Sequence, residues 1–366
     1  MKRVLILTAS FGEGHNTAAK SLRQAVLAVA GADTEVLVVD PYSKTNPKFN
    51  RLIQVGYSVM INRYPKIWNF TFSILSLPGL LEGMLPAMQA LQHAIRDLWR
   101  DFQPDIVVST YPVFSFFVAR LRKTHAEFRE PFVMVVTDST RINSAWYRCW
   151  SDQFVVPDQS TVRVLVKAGV PPERVQALGF PVSLEFEKTR PISPAEGAPW
   201  RVLYMPSTKK GWALQAVREI LRIPQVDLTI LTAKNAALRE QLDHAGISQK
   251  DNVHVLGWTD QMPHLMAASH VFVGKAGGAV VQEALAAECP FVISHVVPGQ
   301  EEGNMDLILD GQMGAMAAGS PKEIRQTLEQ AFAEDGKLWR HWKRNIARHS
   351  TKHAARRIAE FLAGQI

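Results

Sequence analysis

The chain has 366 residues, of which 47% are hydrophobic and 20% are charged. These proportions exclude a disordered chain, and the length exceeds the roughly 250–300 residues at which a single core stops growing, so we expect two domains. Two cysteines, Cys149 and Cys289, are too few for a disulfide framework or a thiolate zinc cage, and a reducing cytoplasm is the expected compartment. No run reaches the ~20 apolar residues of a membrane span, so any membrane contact is expected to be peripheral.

The net charge of +7 is unevenly distributed along the chain. Residues 1–180 carry 20 Lys and Arg against 14 Asp and Glu, residues 181–336 carry 13 against 19, and residues 337–366 carry 8 against 1. Basic regions therefore flank an acidic middle. A solvated surface with a basic terminal helix explains this pattern, and a cationic face for an anionic partner explains it equally well.

Short β-branched runs alternate with amphipathic helical patterns through the first half of the chain. This alternation predicts parallel βαβ units in a Rossmann-like domain, which we place at residues 1–182. The predicted strands are Val4–Thr8, Glu35–Val39, Ile106–Ser109, Phe132–Thr137 and Gln153–Val156.

Two polar residues of this half follow predicted strands. His15 begins the helix after the first strand, at the strand's carboxyl end, where open parallel sheets bind their ligands. It is a candidate general base or orienting group, and the alternative is a histidine that only caps the helix or stabilises the turn. Asp138 ends the fourth strand and is a second candidate, although aspartate at such a place also caps helices and forms turns.

Residues 42–88 mix basic side chains with aromatic and aliphatic ones. The mixture is typical of a segment at a membrane interface, where apolar groups enter the headgroup region and cations meet anionic lipid, but aromatic helices packed in a core have a similar composition. No nucleic-acid-binding motif accompanies the basic residues, so nucleic acid is not an expected partner. The candidate acceptor and membrane contacts are Lys44, Lys48, Arg51, Arg63, Lys66 and Trp68.

Residues 183–199, rich in Pro, Ser, Glu and Gly, have the composition of a linker. A second alternation predicts another Rossmann-like domain at residues 200–336, and residues 337–366 are predicted to form a basic terminal helix. The expected fold class is α/β. Two facing sheets would place two substrates, the donor and the acceptor of a transferred group, on opposite walls of a cleft. The predicted strands of the second domain are Arg201–Met205, Leu228–Thr232, Val253–Leu256, Val271–Gly274 and Phe291–Ser294.

Glycines and polar residues follow two strands of the second domain. Gly277 and Gly278 fall at the start of a helix, where backbone N–H groups and the helix dipole can hold a diphosphate. Glu283 lies about one and a half turns further on, within reach of ribose hydroxyls. Ordinary surface turns would contain similar residues. The loop after the next strand offers hydrogen-bonding side chains that suit a sugar, namely Gln300, Glu301 and Asn304.

The combination of GEGHN near the start with KAGG, QEAL and PGQEEGN further along resembles the monogalactosyldiacylglycerol synthase and processive diacylglycerol glucosyltransferase family. This family is related to the peptidoglycan lipid-linked N-acetylglucosaminyl transferase, and the resemblance covers nearly the whole chain. It implies a GT-B fold, a UDP-sugar donor, inversion at the anomeric carbon and a lipid acceptor such as diacylglycerol. It also implies that the terminal helix at residues 337–366 crosses back to the first domain. Together with the charge distribution, it favours an enzyme on the inner face of the cell membrane. No cofactor or metal is required, because amides at the glycine turn can stabilise the diphosphate.

The resemblance also assigns roles to individual residues. It implies that Trp258 and Met262 are neighbours of the uracil and that Glu283 binds the ribose. It places Gly277, Gly278 and Ala279 around the diphosphate, with Gln300 and Glu301 at the sugar. His15 and Asp138 are implied on the acceptor side, and either could be the base.

Two departures from the family pattern affect this assignment. Members commonly carry a glycine-rich loop after the first strand of the second domain, whereas this chain has Thr208 and Lys209 as candidate phosphate contacts. Many members also carry a histidine a few residues after the aspartate that matches Asp138, and this chain has residues 141–146, RINSAW, instead. The second departure leaves the identity of the acceptor open.

Three other functions are compatible with the sequence. The first is a UDP-sugar transferase that acts on a soluble or another lipid-linked acceptor. The second is a nucleotide-sugar epimerase on the same two-domain scaffold, which would convert a UDP-sugar without any acceptor. The third is a sensor that retains UDP-sugar binding without turnover.

Overall fold

The structure is a computed structural model of the chain. It describes residues 1–31, 33–45, 56, 79–206, 211–233, 235–299 and 301–366. The described residues divide into two compact units. Unit 1 comprises Met1–Leu184, Val297–Gly303 and His353–Ile366, and unit 2 comprises Glu185–Val296 and Asn304–Lys352.

Unit 1 contains a six-stranded parallel sheet in the order β2-β1-β3-β4-β5-β6. Residues Val4–Leu7 and Ile106–Ser109 in its central strands are all buried, as expected of parallel strands covered on both faces. The strands are β1 (Lys2–Leu7), β2 (Thr34–Val39), β3 (Ile106–Ser109), β4 (Phe132–Val135), β5 (Gln153–Val156) and β6 (Val175–Ala177).

Helices cover both faces of this first sheet. Alternate strand residues contribute to two separate apolar clusters, one of which also holds Leu22 of the first helix together with Ile358 and Leu362 of the last helix. The last helix therefore packs on the first one. The helices of unit 1 are α1 (Glu13–Ala30), α2 (Pro41–Thr45), α3 (Leu80–Met84), α4 (Gln89–Phe102), α5 (Phe114–Thr124), α6 (Gln159–Lys167) and α14 (Ala354–Ala363).

Unit 2 is built around a second six-stranded parallel sheet, in the order β12-β11-β10-β7-β8-β9. The predicted α/β class with two Rossmann-like sheets is thus confirmed. The strands are β7 (Trp200–Tyr204), β8 (Val226–Ala233), β9 (Val253–Gly257), β10 (Val271–Lys275), β11 (Phe291–His295) and β12 (Gly314–Met316). The accompanying helices are α7 (Glu185–Lys188), α8 (Trp212–Ile220), α9 (Ala236–His244), α10 (Met262–Ala267), α11 (Gly278–Ala286), α12 (Glu302–Asp310) and α13 (Pro321–Arg348).

The segment expected to be a linker, residues 183–199, belongs mostly to unit 2, which begins at Glu185. Ile192 is buried in the core of that unit, and its N–H group donates a hydrogen bond to the carbonyl oxygen of Ala267 at 3.0 Å. Composition favours a free connection, but Phe186 and Ile192 are both buried, and these apolar side chains anchor the segment.

The C-terminal residues 337–366 form two helical segments instead of the single expected helix. Helix α13 contains a non-helical break at Ala333–Gly336 and continues to Arg348. Its second part stays with unit 2, because Trp339 and Trp342 are buried in the core there. Only His353–Ile366 belongs to unit 1, through helix α14. The apolar face of each segment decides which unit it joins.

Candidate active site

His15 lies in the first turn of α1, directly beyond the carboxyl end of β1. Gly12 precedes the helix with φ of 102°, a conformation that glycine adopts without strain. The Nδ1 atom of His15 is 2.8 Å from the carbonyl oxygen of Thr110 and 2.8 Å from the hydroxyl oxygen of Thr137. A carbonyl oxygen can only accept a hydrogen bond, so Nδ1 carries the hydrogen and Nε2 of the neutral ring has the free lone pair.

A small polar network fixes the turn that carries His15. The Asp40 carboxylate accepts hydrogen bonds from the backbone N–H group of Ser10 at 3.1 Å and from its hydroxyl group at 2.8 Å. The amide nitrogen of Asn16 donates to the same hydroxyl oxygen at 3.3 Å. Residues from the ends of β1 and β2 therefore hold the start of α1 in place.

Asp138 follows β4 and is held by an indole. Its Oδ2 atom accepts a hydrogen bond of 2.7 Å from Nε1 of Trp146. Burial raises the pKa of the Asp138 carboxyl, and the charge of His15 and the hydrogen bond from Trp146 oppose that rise. Burial lowers the pKa of the His15 imidazole, and the charge of Asp138 and the Thr110 carbonyl oppose that fall. Burial therefore favours the neutral form of both groups, and the charge of each group stabilises the charged form of the other.

Aromatic rings lie next to His15, and sequence reasoning did not select them. The ring of Tyr111 is edge-on to His15 with centroids 5.1 Å apart, and it also contacts Phe11 and Phe114 at 5.8 and 5.4 Å. Tyr111 follows β3 just as His15 follows β1 and Asp138 follows β4. The position of Tyr111 after a strand was the signal available in the sequence.

In unit 2, the glycine turn forms the start of α11 as predicted. Gly277 is the N-cap residue with φ of −70° and ψ of 147°, and no side chain caps the helix. The first turn of the helix includes Gly278 and Ala279. Its N–H groups have no partner within the helix, because no helical carbonyl group lies four residues before them. This arrangement favours an anionic group at that point.

Glu283 lies further along α11 and is partly buried. Burial raises the pKa of its carboxyl to about 7. Among the described residues, no hydrogen bond or ion pair engages this carboxyl group. A buried carboxyl group without a protein partner is a good acceptor for hydroxyl groups of a ligand.

The two predicted uracil neighbours, Trp258 and Met262, follow β9, an edge strand of the second sheet, whereas the glycine turn follows β10. Trp258 follows β9 and its side chain is 71% exposed, which is unusual for such a large apolar group. Met262 is the first residue of α10. Three strand spacings separate β9 from β10, which carries the glycine turn, a distance of about 14 Å.

The loop after β11 holds its polar residues against backbone groups. The Glu301 carboxylate accepts a hydrogen bond from the N–H group of Val297 at 2.8 Å. The Asn304 side chain is 4% exposed and donates a hydrogen bond of 3.1 Å to the carbonyl oxygen of Ala276, the residue before Gly277. Asn304 therefore fixes the backbone that enters the glycine turn. Three predicted donor contacts, Gln300, Thr208 and Lys209, lie outside the described residues.

Two family models match the chain. The model described as monogalactosyldiacylglycerol (MGDG) synthase matches residues 15–182, and the model described as glycosyl transferases group 1 matches residues 202–334. The chloroplastic monogalactosyldiacylglycerol synthase of Spinacia oleracea is 25% identical over 99% of this chain and 72% of its own length. The processive diacylglycerol beta-glucosyltransferase of Bacillus subtilis (strain 168) is 26% identical over 94% of this chain and 90% of its own length.

The chain is similar to monogalactosyldiacylglycerol synthases over residues 15–182 and to glycosyl transferases over residues 202–334. The resemblance read from its sequence motifs is thus confirmed, and so is the predicted enzyme class, because both matching models describe glycosyl-transferring enzymes. His15, Asp138 and Trp146 lie within the first match, and Trp258 and Glu283 lie within the second.

Solved structures share the fold of this chain at low identity. MurG of Acinetobacter baumannii is 12% identical with a TM-score of 0.63 over the whole of both chains. UDP-GlcNAc 2-epimerase of Neisseria meningitidis is 14% identical with a TM-score of 0.62, over 99% of this chain and all of that one. These similarities concern the fold alone and agree with the predicted GT-B architecture.

Most of the predicted membrane contacts of the chain fall outside the described residues. Lys44 is exposed near the end of α2. No helix among the described residues is long and apolar enough to span a bilayer. Within the same ranges, no group of three or more His, Cys, Asp or Glu side chains is arranged to hold a metal ion. The predicted contacts outside the described residues are Lys48, Arg51, Arg63, Lys66 and Trp68.

Proposed function

We propose that the protein transfers a hexose from a UDP-sugar to a hydroxyl group of a lipid acceptor such as diacylglycerol, with inversion at the anomeric carbon. The names of two relatives, a monogalactosyldiacylglycerol synthase and a diacylglycerol beta-glucosyltransferase, support this acceptor. The observation that carries the proposal is the His15 imidazole, whose Nδ1–H is held by the Thr110 carbonyl and whose Nε2 is available to accept a proton.

His15 is the base in this proposal and Asp138 supports it. In a single displacement, the acceptor oxygen bonds to the anomeric carbon while the bond from that carbon to the diphosphate oxygen breaks, and UDP leaves with the electron pair. Nε2 of His15 takes the hydroxyl proton, so the ring becomes a cation next to the Asp138 carboxylate. Because Asp138 already accepts a hydrogen bond from Trp146, we assign it electrostatic support instead of proton transfer.

The donor is proposed to bind along the carboxyl edge of the second sheet. The N–H groups at Gly278 and Ala279 and the dipole of α11 would stabilise the negative charge that develops on the diphosphate. The Glu283 carboxylate would accept hydrogen bonds from the ribose hydroxyls, and Trp258 would stack on the uracil. Asn304 contributes by holding the backbone before the turn, which its contact with Ala276 supports.

The proposal is tested by incubating the protein with UDP-glucose or UDP-galactose and vesicles that contain diacylglycerol. A glycosylated diacylglycerol, detected by mass spectrometry, is the expected product, and no conversion of the UDP-sugar is expected without acceptor. Conversion to an epimer without acceptor would replace the proposal with an epimerase. Binding of UDP-sugar without turnover would indicate a sensor, and transfer to soluble acceptors alone would correct the acceptor.

We also propose that the protein acts while bound peripherally to an anionic membrane, on its cytoplasmic face. The acceptor of the proposed reaction is a membrane lipid, and basic residues are concentrated in the 42–88 segment and at the C-terminus. Each Lys or Arg near an anionic surface contributes about 1 kcal/mol, so several together would suffice for reversible attachment.

A further inference from the structure

The indole of Trp146 contacts both members of the candidate catalytic pair. Its side chain is 1% exposed, and its Nε1–H group donates a 2.7 Å hydrogen bond to Oδ2 of Asp138. The centroid of its ring is 6.0 Å from that of the His15 ring. A single buried side chain therefore binds the carboxylate and borders the imidazole.

The short 3-10 helix that carries Trp146, Ser144–Trp146, is fixed at its start. The Asn143 side chain accepts a hydrogen bond from the N–H group of Ala145 at 2.9 Å, and the N–H group of Trp146 donates to the Asn143 carbonyl oxygen at 3.1 Å. The direction of the indole N–H group is therefore set by anchored backbone and by close packing. A fixed donor of this kind can hold a charge without reorganising when the charge changes.

We propose that Trp146 is a positioning residue for the reaction proposed above, and that its indole N–H group keeps the Asp138 carboxylate ionised beside His15. A partly buried carboxyl group favours its neutral form, and a hydrogen bond donated to the charged form opposes this preference. An ionised Asp138 then stabilises the imidazolium that forms when His15 takes the acceptor proton. Trp146 acts only through Asp138 and does not transfer a proton.

The groups that face this pair come from several elements. The charges of His15, on α1, and Asp138, after β4, act on each other. Tyr111, after β3, lies against the imidazole. Arg141, on the same loop as Asp138, pairs with Glu302 at 3.3 Å. An effect of Trp146 on His15 should therefore pass through Asp138.

Unit 1 offers a matched control in Trp99. Its side chain is also 1% exposed, and its Nε1–H group donates a hydrogen bond of 2.8 Å to a carboxylate oxygen of Glu130. No contact joins Trp99 to His15 or Asp138 in the described structure. Trp99→Phe therefore removes the same kind of bond at similar packing cost, while leaving the catalytic pair intact.

The first measurement is an NMR titration of the imidazole of His15, identified by its loss in His15→Gln. In Trp146→Phe we expect the pKa of His15 to fall below the wild-type value, because Asp138 is then less ionised, and in Trp99→Phe we expect no change. In an Asp138→Asn background, Trp146→Phe should have no further effect. An unchanged titration in Trp146→Phe, an equal change in Trp99→Phe, or a full effect in the Asp138→Asn background would overturn the proposal.

The wild-type protein provides a measurement that does not depend on a variant folding. The indole N–H resonance of Trp146 should shift as Asp138 titrates and should lose this shift in Asp138→Asn, whereas the resonance of Trp99 should not respond to that substitution. A Trp146 resonance that ignores Asp138 would contradict the proposed hydrogen bond.

The pH profile of transfer supplies a readout that a purely structural role would not change. Relative to wild type, Trp146→Phe should lose about tenfold in kcat/KM at acidic pH and less as the pH rises, because loss of the indole hydrogen bond raises the pKa of the Asp138 carboxyl. An equal loss at every pH would make Trp146 structural only. If the wild-type protein transfers no sugar at all, the proposed function fails, and the two NMR measurements still decide the role of Trp146.

Discussion

Burial favours the uncharged form of both His15 and Glu283, but the consequence differs between the two residues. A neutral imidazole has a free lone pair and can act as a base near neutral pH, so burial prepares His15 for proton transfer. A neutral carboxyl group is a weaker acceptor for ribose hydroxyls than a carboxylate, so burial makes donor binding by Glu283 dependent on pH.

For His15, replacement by Ala should reduce turnover by about 10²–10⁴-fold, the usual contribution of a general base. The affinity for UDP-sugar should stay unchanged, because no predicted donor contact lies on α1. Steady-state kinetics and calorimetry measure the two quantities. His93→Ala, at an exposed position of α4 in the same unit, serves as the control and should leave both unchanged. Turnover near the wild-type value in folded His15→Ala would transfer the role of base to Asp138.

For Glu283, we expect the affinity for UDP-sugar to rise with pH. The empty site has a raised carboxyl pKa of about 7, and ribose hydroxyls bind the charged form, so ligand binding must release a proton below that pKa. The dissociation constant should therefore fall by about tenfold between pH 6 and pH 8. Calorimetry in two buffers also measures the released proton. Glu283→Gln should bind more weakly and show no such dependence; an equal dependence in that variant would remove Glu283 from the ribose site.

At the residue scale, the sequence selected Asp138 because it directly follows a strand, and His15 and Glu283 because they lie on helices that follow strands. The carboxyl ends of parallel strands meet at one edge of the sheet, where ligands bind. Trp146 was not predicted, because its contact with Asp138 depends on how the loop between them folds back. Tyr111 follows β3 in the same manner as Asp138 follows β4, so the same rule would have selected it.

At the scale of elements, the Ser139–Arg141 turn next to Asp138 is unusually tight. The N–H group of Arg141 donates to the carbonyl oxygen of Ser139 at 2.7 Å, and Thr140 between them has φ of 60°, which is unfavourable for a β-branched residue. Gly303, in the part of unit 1 that follows β11, lies directly against this turn. A side-chain carbon at position 303 would be 2.7 Å from the nitrogen of Arg141.

We therefore expect Gly303→Ala to destabilise the turn and its neighbour. The added methyl group meets backbone atoms, which cannot move aside as a side chain can, and overpacking of this kind costs about 1–3 kcal/mol. Thermal denaturation should show a lower Tm, and turnover should decrease because Asp138 adjoins the turn. Gly83→Ala, also in unit 1, meets no atom within 4 Å and should leave both quantities at or above the wild-type value. Equal behaviour of the two variants would show that the contact is unimportant.

Strand prediction succeeded where the sequence contains apolar β-branched runs and failed where it does not. Ten strands were predicted within about two residues at each end, since buried parallel strands must be apolar on both faces. The two missed strands, β6 (Val175–Ala177) and β12 (Gly314–Met316), have three residues each and lie at sheet edges. Such short edge strands form because the neighbouring strand offers free backbone N–H and C=O groups. The sequence of the short strand itself does not show that this neighbour is present.

At the scale of the whole molecule, the basic C-terminal residues differ in burial, in pairing and in the unit to which they belong. Lys343 is buried and donates to the carbonyl oxygen of Glu288, while Arg340 pairs with Asp335 at 2.9 Å. The cations of α13 belong to unit 2, and only those after residue 352 belong to unit 1. The excess of charge at the C-terminus therefore supports membrane binding less than its formal value suggests, and more of the proposed attachment rests on the 42–88 segment.

Sedimentation with vesicles tests that attachment. Wild-type protein should pellet with vesicles that contain anionic lipid at low salt and should be released as salt shortens the Debye length from about 10 Å at 0.1 M to about 3 Å at 1 M. Changing five cations of the segment to Ser should abolish pelleting, because their combined contribution is about 5 kcal/mol at ~1 kcal/mol each. The five are Lys44, Lys48, Arg51, Arg63 and Lys66.

The control for this experiment is a variant that loses the same number of positive charges, but from unit 2. Five exposed cations of unit 2 are changed to Ser together, namely Arg218, Arg239, Lys250, Lys322 and Lys337. This variant should pellet nearly as wild type does, because attachment that depends on one segment is insensitive to charge removed from another surface. Equal loss in both variants would mean that only net charge matters. Wild-type protein that stays in solution with anionic vesicles at low salt would refute peripheral docking, and the basic and aromatic residues of 42–88 would then be ordinary surface and core.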